Sequence, residues 1–197
     1  MAPILYLASK SPRRRQLLGQ LGVDFEVLDV DIPEAPEPGE SPVAYVERLA
    51  RAKAAAGRAA LAVGAGGDGW VLGSDTEVVL DGEIFGKPVD EAGAAAMLSR
   101  LAGREHEVLT GVCLAGPPAA GPPTSLVCTT RVRFDALDEA AIRVYVATGE
   151  PFGKAGAYAI QGRAAAFTSH LSGSYSGVMG LPLFETARLL RAAGFAV

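Results

Sequence analysis

The sequence predicts a mixed α/β fold, with a twisted sheet flanked by helices. Strand-like apolar runs alternate along the chain with segments of helical spacing. Asp81-Gly82, between "EVVL" and "EIFGKP", is a hairpin signal. "HEVLTGVCLA" and "SLVCTTRVRF" are successive strand patterns joined by the proline-rich loop "GPPAAGPP", so the sheet is not purely parallel.

The first strand is expected in "ILYLA", because the run is too short for a secretory signal and its positive charge follows it instead of preceding it. Ser11 then reads as an N-cap, Pro12 as the first helical residue, and Leu17, Leu18 and Leu21 as a helical face closed by Gly22. "DFEVLDV", Asp24 to Val30, is a strand pattern, and "DIPEAPEPGESP" a rigid acidic loop. Ser41 and Pro42 repeat the cap signal for a long helix to about Ala62. "GAGGDG", residues 64 to 69, matches a dinucleotide fingerprint in letters, but it follows a helix and precedes the strand "WVLGSDTEVVL", the reverse of what that motif requires. It reads as a flexible turn.

Asp90 caps an alanine-rich helix ending at Gly103, and Asp138 caps another. The tail is expected to hold a strand within "AAFTSHLSGSYSG" and a last helix from about Pro182. No internal repeat occurs. The 197 residues are taken as one domain, 1–197, with enough apolar content (49%) for a substantial core.

A formal net charge of −4 argues against binding polymeric nucleic acid, and no apolar run approaches a membrane span. Cys113 and Cys128 stand singly in apolar strands, which suggests buried thiols and a cytoplasmic protein. A small anionic ligand needs only a local cluster of cations. Four of the 18 basic residues are lysine, and three of those, Lys10, Lys87 and Lys154, stand in "SKSP", "GKP" and "GKAG" at element ends. A compact ammonium beside small residues suits phosphate oxygens, although loop lysines are also simply exposed.

Arg13 and Arg14 fall in the first turn of a helix, where cations are badly placed unless an anion compensates; Arg15 fits a solvated face. Asp75 interrupts an apolar strand, which suits a metal ligand, a general base or a structural ion pair to an arginine. Glu34, in the proline-bounded loop, is a second candidate carboxylate. His106 and His170 have no ligand-like spacing, no Walker A pattern occurs, and "SGSYSG" puts Tyr175 where a nucleophile elbow needs serine.

These pieces together resemble the Maf family of nucleoside triphosphate pyrophosphatases over nearly the whole chain. "LASKSPRRRQLL" is similar to the family's opening signature, "VERLARAKA" to its second-helix motif, and "GSDTEVVLDGEIFGKP" to its catalytic segment. "GEPFGKAGAYAIQG" with "GSYSGVMGLPLFET" is similar to its C-terminal pair. The threonine after the aspartate and the "AYAIQG" ending resemble the branch that hydrolyses dTTP and UTP; a sister branch acts on 7-methyl-GTP.

The resemblance implies a Maf/ITPase-like fold with a nucleotide-binding cleft, and products of nucleoside monophosphate and pyrophosphate. It makes Asp75 the general base, and Arg13, Thr76 and Gln161 the residues associated with nucleobase choice. Ser9, Arg14, Lys53, Lys87 and Lys154 become polar or cationic positions of the cleft. Glu34 matches an acidic position there, and with Asp75 it is expected to hold a divalent cation, Mg2+ or Mn2+. A homodimer is implied. The family usually has aspartate before the "KAG" lysine, where this chain has Gly153, which bears on metal binding and lysine placement. The competing expectations are a nucleotide-sensing regulator of septum formation with little turnover, and a pyrophosphatase preferring 7-methyl-GTP.

Overall fold

The computed structural model describes residues 3–63 and 67–197. The seven-stranded sheet runs β2 (Phe25–Leu28), β1 (Leu5–Ala8), β3 (Trp70–Leu80), β5 (Glu105–Ala115), β6 (Thr124–Phe134), β7 (Thr168–Ser172), with β4 (Glu83–Ile84) added beside β3. β1 is parallel to both β2 and β3, and every other pairing is antiparallel, so the sheet is mixed as expected. Asp81 and Gly82 both have positive φ (53° and 79°), the backbone that a two-residue hairpin turn between β3 and β4 demands.

The helices begin where their caps predict. Ser11 accepts from Arg14 N at the start of α1 (Pro12–Gly19), and Ser41 from Ala44 N at the start of α2 (Pro42–Val63). Asp90 accepts from Gly93 N before α3 (Glu91–Leu101), and Asp138 from Ala141 N before α4 (Glu139–Val146). The tail departs from expectation. Only Thr168–Ser172 of "AAFTSHLSGSYSG" is strand, a 3-10 turn precedes it, and Ser174 caps the short α5 (Tyr175–Val178). The last helix, α6, spans Leu183–Ala192. Of "GAGGDG", Gly64, Ala65 and Gly66 lie outside the described residues; Gly67 and Asp68 form a turn into β3.

Two glycines bring α2 onto the sheet. A Cβ on Gly73 would fall on the Ala50 carbonyl oxygen and 2.6 Å from Ala54 N, and one on Gly111 would fall on the Val46 carbonyl. Backbone-to-backbone approach of this kind needs a residue without a side chain. The opposite face carries the larger core, including Leu5, Leu7, Leu72, Val112 and Leu190 in one cluster and Val78, Leu98, Val108 and Phe134 in another. Cys113 is buried, whereas Cys128 is only partly so, which corrects the expectation of two buried thiols.

The pairing pattern positions the cleft. The β1 pairing with β3 ends at Ala8 opposite Gly73, and β4 does not join until Val79. Residues 74–77 of β3 therefore have no strand partner on that side, and side chains from both faces of the strand reach one opening beyond the carboxyl end of β1.

Candidate active site

The cleft has a volume of about 710 Å³, within the range that holds small ligands. On one side, alternate residues of β3 face α2. Lys53 of α2 reaches across and places Nζ 2.7 Å from Asp75 Oδ1 and 2.6 Å from Glu34 Oε1. Asp75 is 5% exposed and Lys53 9%. Lys87, from the loop after β4, lies 3.5 Å from Glu34 Oε2. The two carboxylates named from sequence are thus brought together, with an ammonium between them. The partner of Asp75 is this lysine and not an arginine.

Burial alone would raise the Glu34 carboxyl, but Lys53 and Lys87 outweigh it and hold it below its usual range. Glu77, two residues after Asp75 and so on the same strand face, behaves oppositely. Desolvation, followed by the nearby Asp75 charge, pushes it up to about 7. Glu77 was missed in the sequence, although its period-two relation to Asp75 was legible.

On the other face of β3, Ser74 Oγ donates to Gly180 O at 3.0 Å, and Arg14 Nε donates to the same carbonyl at 2.8 Å. Arg14 Nη2 also donates to Thr76 Oγ1 at 3.2 Å. Thr76 Oγ1 is 3.0 Å from Thr110 Oγ1, and Thr110 donates to Gly177 O at 2.8 Å. Two of the first-turn arginines therefore divide the work. Arg14 ties α1 to β3 and to the segment after α5, while Arg13 lines the cleft half-buried, its pKa lowered by desolvation. Arg15 is exposed, as expected. Ser9, 5% exposed at the end of β1, accepts from Ser11 N at 3.2 Å and also lines the cleft. Lys10 pairs with Asp29 at 3.1 Å.

The third wall is the loop from Gly149 to Gly162. Glu150 fastens it, accepting from Tyr145 Oη at 2.7 Å, Arg163 N at 3.1 Å and Ala164 N at 3.4 Å. Lys154 Nζ donates to Glu150 O at 2.7 Å, and its pKa is lowered by burial and then by Arg13. Gly153 has φ 71°, and a Cβ there would meet nothing within 4 Å. A side chain at this position has space but an unfavourable backbone, and Lys154 keeps its carbonyl anchor without one. Gln161 lines the cleft, exposed, beside Gly162.

The donor set suits a hard divalent cation. Asp75 Oδ2 and Glu77 Oε2 are buried without a hydrogen-bond partner among the described residues, and orphaned carboxylate oxygens in one cleft are costly unless a cation meets them. Both Glu34 oxygens already face lysines. No group of three or more metal-ligating side chains occurs among the described residues. A cation here would take one or two carboxylates and complete its shell with water and phosphate, the usual habit of Mg2+.

Several known proteins are similar to this chain. A family profile described as "Maf-like protein" matches residues 4–193. A protein of Xanthomonas campestris named dTTP/UTP pyrophosphatase is 59% identical over 191 residues, covering 97% of this chain and 99% of its own. Another of that name, from Aromatoleum aromaticum, is 52% identical over 207 residues, with 99% of each chain covered. Among solved structures, the Staphylococcus aureus Ham1 protein matches with a TM-score of 0.48 at 19% identity, covering 66% of this chain and 71% of that one.

Proposed function

This chain belongs to the Maf family of nucleoside triphosphate pyrophosphatases, and from that premise we propose that it hydrolyses the α-β phosphoanhydride of dTTP and UTP. The products are the nucleoside monophosphate and pyrophosphate. The observation that carries this reading is the Asp75 carboxylate, held through Oδ1 by Lys53 with Oδ2 uncommitted, in a cleft that also presents Arg13, Lys87 and Lys154.

Asp75 orients a water and takes its proton as the water oxygen bonds to the α-phosphorus. The bond from that phosphorus to the α-β bridging oxygen breaks, and the electron pair leaves with pyrophosphate. Charge gathers on the leaving group, where Lys87 and Lys154 stabilise it more in the transition state than in the substrate, while Arg13 stands with the residues of nucleobase choice. Lys53 fixes the Asp75 rotamer and keeps Glu34 beside it. Ser9 and the start of α1 receive phosphate oxygens. Thr76 and Gln161 read the pyrimidine edge, since an amide can both donate and accept there.

A divalent cation, Mg2+ or Mn2+, belongs to this reading; Asp75 with Glu77 would hold it, Glu34 standing behind on its lysines, and it would supply charge neutralisation of the phosphates. No membrane-crossing helix, long and apolar enough, occurs among the described residues. The reading has the enzyme acting as one domain, in the cytoplasm, as a homodimer.

The test is to incubate purified protein with Mg2+ or Mn2+ and dTTP, UTP, CTP, GTP or 7-methyl-GTP, and to identify products by chromatography. Monophosphate and pyrophosphate from dTTP and UTP are expected. Preferential cleavage of 7-methyl-GTP would overturn the substrate assignment, and tight binding without turnover would overturn the enzyme.

A further inference from the structure

The Thr76 hydroxyl is held in one direction. Thr110, 1% exposed, has a single hydroxyl proton and gives it to Gly177 O at 2.8 Å. The 3.0 Å contact between the two threonines must then run from Thr76 as donor to Thr110 as acceptor. The reverse would leave two buried oxygens, Thr110 Oγ1 and Gly177 O, 2.8 Å apart with no proton between them. A second constraint comes from Arg14, whose Nη2 donates to Thr76 Oγ1 while its Nε is pinned to Gly180 O. A hydroxyl owns one proton and two lone pairs. With the proton spent on Thr110 and one lone pair on Arg14, Thr76 can only accept from a ligand in the cleft.

We propose that Thr110, acting through Thr76, makes this hydroxyl an acceptor-only reader that selects pyrimidines carrying N3–H against cytosine. The inference rests on the reading above, in which Thr76 meets the base. Once N1 carries the sugar, N3–H is the only N–H of thymine or uracil. Cytosine has an unprotonated N3 in the same place, so two acceptors would face each other across a partly buried contact. Thr110 touches no substrate; it is a positioning residue that sets the polarity of its neighbour.

The experiment measures kcat/KM for UTP, CTP and 3-methyl-UTP with wild-type protein, Thr110→Val and Thr110→Ser. Wild type should favour UTP over CTP by about tenfold or more, the cost of one unpaired acceptor. Valine removes the acceptor that holds the Thr76 proton, which becomes free to turn toward cytosine N3. The UTP to CTP ratio should then fall about fivefold or more, whereas serine, which keeps a hydroxyl, should retain the wild-type ratio. An unchanged ratio in folded Thr110→Val overturns the relay. Should that variant not fold, wild type decides: 3-methyl-UTP lacks the N3 proton, and its cleavage as fast as UTP overturns the inference. Absence of UTP hydrolysis by wild type is a separate result, which overturns the proposed function itself.

Discussion

Lys53 Nζ and Asp75 Oδ1 form a 2.7 Å ion pair in which the side chains are only 11% and 7% exposed, and Lys53 is the link from Asp75 to Glu34. Removing the lysine therefore strands the buried Asp75 carboxylate, while Glu34 keeps only Lys87 at 3.5 Å. Lys53→Met should lower stability by about 3–5 kcal/mol, the usual cost of leaving a buried charge unpaired. Asp75→Asn should cost much less, because Lys53 keeps Glu34. The double variant should be more stable than Lys53→Met alone. Urea unfolding of the three proteins checks this ordering, and equal losses from both single variants would contradict it.

Asp75→Asn keeps the shape and one acceptor oxygen but loses the base. Turnover of dTTP and UTP should fall about a hundredfold or more while the folded state persists. Steady-state rates beside a thermal melt separate the two effects. Full activity in a folded Asp75→Asn protein would remove Asp75 from the mechanism.

Much of this fold was legible because the local signals are strong and agree. Ser11, Asp90 and Asp138 each bond the backbone three residues on, and Asp81-Gly82 adopts the backbone its hairpin demands. The tail after Phe167 was less legible, because a five-residue strand and a four-residue helix are too short to show periodicity. For the site, Asp75 stood out as an acid in an apolar strand. The staple on the other face of the strand did not, since the bond from Arg14 to Gly180 spans 166 residues and nothing local encodes it. Arg13 and Arg14 read alike in sequence; packing alone makes one a cleft residue and the other a staple.

Gly73 offers a test of how closely catalysis depends on the seat of α2. Its added Cβ would meet backbone atoms of Ala50 and Ala54, which flank Lys53 and cannot step aside as a side-chain tip would. Gly73→Ala should lose about 1–3 kcal/mol through overpacking, and activity as well, because α2 carries Lys53 away from Asp75. Gly67→Ala, where nothing among the described residues lies within 4 Å, should change stability by less than about 0.5 kcal/mol. Equal melting temperatures for the two variants would show that α2 is not held as described.

Glu150 fastens the loop that carries Lys154 and Gln161, accepting two backbone N–H groups and one phenol. Glu150→Ala frees all three donors, so KM for UTP should rise about tenfold, with Glu150→Gln, which keeps one acceptor oxygen, falling between. An unchanged KM in the alanine variant would mean that the loop holds its place without this carboxylate.

His106 predicts how the fold responds to acid. It is 2% exposed, with Nε2 2.9 Å from Tyr158 Oη and Nδ1 unpartnered, and burial lowers its pKa from 6.5 to about 4. Between those two values the unfolded chain takes up a proton that the folded chain refuses. The unfolded state thus binds more protons, and stability falls as pH drops from about 6.5 toward about 4, with no further loss from this residue below. Above pH 6.5 its contribution is flat. At pH 4.5 the loss relative to pH 7 should reach about 2 kcal/mol from this residue alone. Carboxylates held low by their cations, such as Glu34, lose their stabilisation only below their unfolded pKa, which separates the two effects along the pH axis. Urea unfolding at pH 7 and pH 4.5 should show a smaller difference for His106→Gln than for wild type. Equal pH sensitivity in both would mean that the imidazole takes up its proton alike in the folded and unfolded chains, and that burial does not keep it neutral.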